Sequence, residues 1–203
     1  IVSCAKKSDT SSTSTSGTGT GLTASGTVTG NDNLTGIFNM SYFGQEPSGG
    51  CIDNSTAVAA FVTLSAIPSN TLAYKKQIII TSSTTYTESL QYYSDASCAT
   101  LTGYFNLLYA DVLVGDSLSG LSAGSNPAKP TTAKKVSYTH PSMNLKSNTD
   151  TTTAFFNSTL GSSNLATLGF TQGTELVIPI TTPESNVNIW ETSAMSGSSK
   201  TYL

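Results

Sequence analysis

The chain reads as an all-β protein, mainly antiparallel, and three features point there. Ser and Thr make up about a third of the 203 residues, and Thr suits exposed strand faces. From Tyr86 to Tyr92 the pattern has period two: Tyr86, Leu90 and Tyr92 share one parity, with Thr87, Ser89 and Gln91 between them. That is the signature of a half-buried strand. Short β-prone runs then recur at regular spacing, separated by turn signals, as in a single antiparallel barrel or sandwich.

The elements follow in order. Ile37 to Phe43 is short, aromatic and β-prone. Thr56 to Ala66 is apolar, stops before Pro68 and is taken as a strand. Gln77-Ile78-Ile79-Ile80-Thr81 is β-branched, and the alternating segment after it ends at the turn Ser94-Asp95-Ala96-Ser97. Leu101 to Val114 holds one strand or a pair. Asp116 to Pro130 is rich in Gly, Ser and Pro and reads as a long loop. Val136 to Leu145 is a strand region in which Pro141 marks an edge or a bulge. Asn148 to Leu160 is the one helix: Asn148, Thr149 or Asp150 caps it, Ala154 to Phe156 form its packed face, and Gly161 stops it. Leu176 to Ile180, Val187 to Glu191 and Lys200 to Leu203 close the chain as short strands.

The N-terminal residues carry a localisation signal. Ile1-Val2-Ser3-Cys4 places two aliphatic residues and a small one before a cysteine. Lys6 and Lys7 follow, and twelve of the eighteen residues from Ser8 to Ser25 are Ser or Thr. Such a segment buries too little apolar surface to offset its ordering entropy, so it should act as a flexible tether. The junction resembles the end of a bacterial lipoprotein signal, particularly the spirochaete type that accepts Ser before Cys. The resemblance implies removal of a signal peptide and a lipid on Cys4. The organisation expected is 1–4 as signal remnant and lipidated Cys4, 5–30 as disordered tether, and 31–203 as one antiparallel β domain. Gly17-Thr18-Gly19-Thr20-Gly21 is linker composition, not a nucleotide loop, because no strand precedes it and no helix follows.

With Cys4 lipidated, Cys51 and Cys98 remain as a pair. In an oxidising compartment they would form a disulfide; the alternative is two separate buried thiols. The run Tyr92 to Cys98, continued by Gly103-Tyr104-Phe105, resembles a recurring element of lipocalin-like barrels: a strand ends in an aromatic, a tight Asp-containing turn follows, and a Cys opens the next strand. Val136-Ser137-Tyr138-Thr139 with the helix after it, Ile189-Trp190, and Lys200 to Leu203 are similar to that group as well. Gly36-Ile37-Phe38 stands where true lipocalins carry G-x-W. The resemblance implies a lipocalin-like up-and-down barrel or barrel-like sheet, with one short helix near 150–160. It also implies that Cys51 is the partner of Cys98 and that Trp190 packs inward near the last strand.

Few constellations carry chemistry. Gly120-Leu121-Ser122-Ala123-Gly124 matches the G-x-S-x-G pattern of hydrolases. It sits in a loop, and no acidic residue separates Ser122 from His140, the single histidine, so the order that this chemistry needs is missing. His140 alone lacks relay partners. Asn31-Asp32-Asn33 with Gly36 lacks the bidentate glutamate of a calcium loop and reads as an Asx-rich turn. One histidine and no close Cys pair argue against a metal site, and no cofactor is expected. Four sequon-like triplets, at Asn33, Asn39, Asn54 and Asn157, match chance in so hydroxyl-rich a chain.

Charged residues are 10% of the chain, the net charge is −3 and all nine basic residues are Lys. That composition argues against nucleic-acid binding and bidentate anion clamps. No run of eighteen apolar residues occurs, so no transmembrane helix is expected. Tyr86, Tyr92, Tyr104, Phe105, Tyr109, Tyr138 and Trp190 either fill the interior themselves or line a cavity for an apolar ligand. The function expected is a lipid-anchored outer-membrane or surface lipoprotein, not an enzyme. It would act as a binding or interaction module whose partners are the membrane, through its lipid, and a protein or small apolar ligand. A carrier of an apolar ligand is the alternative, and a hydrolase the distant one.

Overall fold

The computed structural model describes residues 5–7, 20–30, 34–40, 48–53, 55–120, 132–159, 168–181, 185–190, 193–194 and 201–202. Its centre is an antiparallel meander. Strands β2 (Ile37–Met40), β3 (Ala73–Ile80), β4 (Tyr86–Tyr93), β5 (Leu101–Ser119), β6 (Thr132–Ser147) and β7 (Leu176–Pro179) pair in sequence order. Beyond β2 the sheet continues through β1 (Ala5–Lys7), β10 (Thr201–Tyr202) and β9 (Ser193–Ala194). Strand β8 (Ser185–Trp190) lies beside residues 134–139 of β6, on the edge whose other half pairs with β7. The described path runs from β7 to β9 without closing. The protein is therefore all-β with an up-and-down, barrel-like sheet, as the sequence predicts, in its open form.

Among the described residues two short α-helices accompany the sheet, not one. α2 (Asp150–Thr159) occupies the predicted place. Thr149 caps it, its hydroxyl oxygen accepting from the Thr152 N–H at 3.2 Å. Phe156 is fully buried and Phe155 half-buried, whereas Ala154 is exposed. The other helix, α1 (Ser55–Thr63), replaces the strand expected at Thr56–Ala66. The apolar run there is rich in Ala, the best helix former, and Val58, Phe61 and Val62 fall at helical spacing against Ile52, Ile67 and Tyr74. The helix closes with Ser65 in the left-handed region, φ 53°. Its N–H reaches the Val62 carbonyl, and that of Ala66 reaches Phe61, the paired bonds of a Schellman cap.

The long hairpin also departs from the pattern. β5 is one strand of 19 residues, so Asp116–Ser119 are strand where a loop is expected; residues 121–131 lie outside the described set. The β5–β6 ladder is irregular between Leu108 and Ala110, opposite the stretch that contains Pro141, which fits a residue with no N–H to donate. At the start of β5, an added Cβ on Gly103 would come within 2.6 Å of the Lys146 carbonyl and 2.7 Å of Thr152 Cγ2. Only glycine lets β5 pass so close beneath α2.

The tether expected over residues 5–30 is corrected at both ends. Ala5–Lys7 pair with Met40, Asn39 and Phe38. Residues 25–29 lie along the β3–β4 connection: Ser25 N–H donates to the Ile80 carbonyl at 3.2 Å and Thr29 N–H to that of Ser83 at 2.9 Å. Gly26 is packed so tightly there that a Cβ would stand 2.3 Å from the Ser82 backbone. Val28 is fully buried with Leu34 and Phe38. One apolar residue in register with a core outweighs a polar average. Residues 8–19 lie outside the described set.

The even-numbered face of β4 carries most of the apolar core. Tyr86 joins Val28, Phe38, Ile80, Val112 and Val136. Tyr92 joins Ile52, Val58, Leu145, Phe156 and Phe170 beneath the helices. Cys51 and Cys98 form a disulfide with Cα atoms 5.9 Å apart, beside Ala73, Tyr93, Leu101 and Tyr104. The turn before it is built on Asp95, whose carboxylate accepts from the Ala99 N–H at 3.1 Å and the Thr100 N–H at 2.6 Å. The Ser97 hydroxyl first, then these backbone donors, hold the Asp95 carboxyl well below the usual range. No helix among the described residues is long and apolar enough to cross a membrane.

Candidate functional site

The odd-numbered face of β4 is predicted to be wet. It is buried: Ser89 is 0%, Gln91 5% and the facing Asn106 3% exposed. Register explains what gathers there. Asn39 of β2 stands opposite Gln77 of β3, Gln77 opposite Ser89, Ser89 opposite Asn106 of β5, and Asn106 opposite Asn144 of β6. Five strands thus place an amide or hydroxyl at one level of the sheet. At the usual strand spacing the row runs roughly 19 Å.

Part of the row is satisfied. Gln77 Nε2 donates to Asn39 Oδ1 at 2.7 Å. Gln91 Nε2 donates to Gln77 Oε1 at 2.7 Å and lies 3.2 Å from Ser89 Oγ. Tyr93 OH donates to Gln91 Oε1 at 2.6 Å. At the β6 end Asn144 Nδ2 donates to Glu175 Oε1 at 3.2 Å, and Tyr104 OH donates to Glu175 Oε2. Two acceptors remain. Asn106 Oδ1 and Asn144 Oδ1 are buried without a hydrogen-bond partner. Each such group costs about 1–3 kcal/mol.

Charge flanks the row. Lys75 Nζ lies 5.7 Å from the centre of the Tyr93 ring, and burial pushes the Lys75 ammonium down. Burial, with Asp95 second, pushes Tyr93 up to about 12. Burial, then Glu175, raises Tyr104 as well. Lys146 stands opposite Tyr104 on the same face.

The predicted aromatic set divides between faces. Tyr86 stacks on Tyr109 with ring centres 4.4 Å apart, and Tyr138 meets both edge-on. Tyr92 packs on Phe155 and Phe156 at 6.0 and 6.1 Å, and Phe105 lies in that group. Tyr104 is on the other face with Glu175. These rings lean on one another, as fillers of an interior do. The Trp190 side chain lies outside the described set. His140 extends the tyrosine stack, 5.1 Å from Tyr109 and 20° from parallel. Its Nε2 is buried without a partner. Burial lowers the imidazole, against a Ser142 backbone hydrogen bond and the Glu88 carboxylate. Glu88 itself is held by Lys76 at 2.6 Å.

Cys4, Ser122 and Asn31–Asn33 lie outside the described residues. No group of three or more His, Cys, Asp or Glu able to hold a metal occurs among the described residues. Sequence reasoning missed the amide row. The signal was present: Asn39, Asn106 and Asn144 each sit inside a strand, against strand propensity. Without register they are unrelated. No protein-family model, no curated protein and no solved structure matches the chain.

Proposed function

We propose that this chain is the body of a lipid-anchored bacterial surface or outer-membrane protein that works as a binding module, with the amide row as its recognition face. The observation that carries the binding part is the pair of buried, unpartnered acceptors, Asn106 Oδ1 and Asn144 Oδ1, side by side at the β6 end of a row whose β2–β4 members are hydrogen-bonded. Buried acceptors of this kind call for a donor from outside the chain. The anchor part is supported by Ile1-Val2-Ser3-Cys4. With Ala5–Lys7 in β1, a lipid on Cys4 would sit one residue from the sheet, holding the domain close to the bilayer. The apolar-carrier reading draws less support, because the aromatic rings pack on one another.

Stable anchoring takes more than one acyl chain. The chain, expressed in a bacterium behind a lipoprotein signal, should enter the detergent phase of a cloud-point partition and carry a diacylglyceryl mass on Cys4. Cys4→Ser should move it to the aqueous phase. An unmodified Cys4 in a wholly aqueous protein would end the anchor reading.

A further inference from the structure

We propose that the amide row binds a neutral, hydroxyl-bearing ligand of the sugar or polyol class. This deepens the binding-module reading and rests on it, independently of the lipid. Ligand charge is selected by what stands unpaired. Both open groups are carbonyl oxygens, so an anion is repelled and an apolar ligand would leave them open. Asn144 cannot turn its amide over, because its Nδ2 donates to Glu175 Oε1 and the reversed amide would set a carbonyl against the carboxylate. Its Oδ1 is therefore open to an outside donor, and Asn106 Oδ1, one strand away, is likewise without a partner.

A metal or ammonium cation is disfavoured in turn. Lys75 and Lys146 lie on this face, one register step along from the row. Each Glu175 oxygen already accepts one hydrogen bond, from Tyr104 OH and from Asn144 Nδ2. What remains is a neutral donor. Hydroxyls on neighbouring carbons offer donors in pairs and also accept, matching side-chain amides, which do both. The approach is from the side of β6 and β7, where Asn144 is half-buried and Glu175 exposed. Three asparagines at one level, each against its strand's local preference, form the rule-breaking cluster that marks function.

The test uses the full chain carrying Cys4→Ser, so that membrane attachment plays no part. Glucose, galactose, mannose, N-acetylglucosamine, myo-inositol and glycerol are titrated by saturation-transfer NMR and calorimetry, beside calcium chloride and methylammonium. At least one hydroxylated probe should bind, and Asn106→Leu should weaken it about tenfold or more. Asn144→Leu, at a half-buried position, gives the same reading if Asn106→Leu fails to fold. Binding by calcium or methylammonium alone would overturn the ligand class and leave the binding module standing. Sugar binding unchanged by both variants would overturn the site. No binding by any probe to the folded chain would overturn both this proposal and the recognition face.

Discussion

Gln91 and Gln77 are joined side chain to side chain across two neighbouring strands: Gln91 Nε2 donates to Gln77 Oε1 at 2.7 Å. The same Gln91 accepts from Tyr93 OH at 2.6 Å, and Gln77 in turn donates to Asn39, so a chain of side-chain bonds runs across three strands.

Replacing Gln91 with Leu keeps its volume and removes these bonds and the one to Ser89 Oγ. Tyr93 OH and Gln77 Oε1 are then left unpaired. The expected loss is about 1–3 kcal/mol, read as a lower urea midpoint at unchanged slope. A midpoint equal to that of the parent protein would show that the row contributes nothing to folding.

The Cys51–Cys98 bond closes a span of 47 residues. In the chain-entropy model such a loop stabilises by about 4 kcal/mol. For a domain of this size, reduction should lower the melting temperature by roughly 10 °C. A melting curve insensitive to dithiothreitol, with both thiols shown to be reduced, would contradict this.

His140 titrates below its ordinary value because it is buried. The folded state then takes up its proton less readily than the unfolded chain. The contribution is complete above the unfolded pKa, about 6.5, and is lost as pH falls towards the folded pKa. Stability should therefore drop between pH 7 and pH 5. His140→Phe keeps the ring against Tyr109, removes the titration and should flatten that stretch of the profile. An equal slope in both proteins would assign the drop to another group.

Much of the fold was legible before the structure. Period-two alternation marked β4, three consecutive isoleucines marked β3, and the Asx/Thr cap with Phe155-Phe156 marked α2. The β class and the strand order of a meander follow from these local signals. α1 was misread because a short apolar run has no decisive period, and Ala content was the better guide. Ala5–Lys7 and Val28 were misread because composition averages over a segment, while one residue in register with a core decides docking.

Sequence by itself determined the β class, helix α2, the turn at Asp95 and the pairing candidates among three cysteines. Tertiary structure alone decided which faces were wet. Side chains alternate with period two along any strand, but the level at which neighbouring strands meet depends on register, which no single strand encodes. That level brings Asn39, Gln77, Ser89, Asn106 and Asn144 into one row and separates Tyr104 from Tyr86, Tyr92, Tyr109 and Tyr138. A shift of one residue in any ladder would send that strand's amide to the opposite face and dissolve the row.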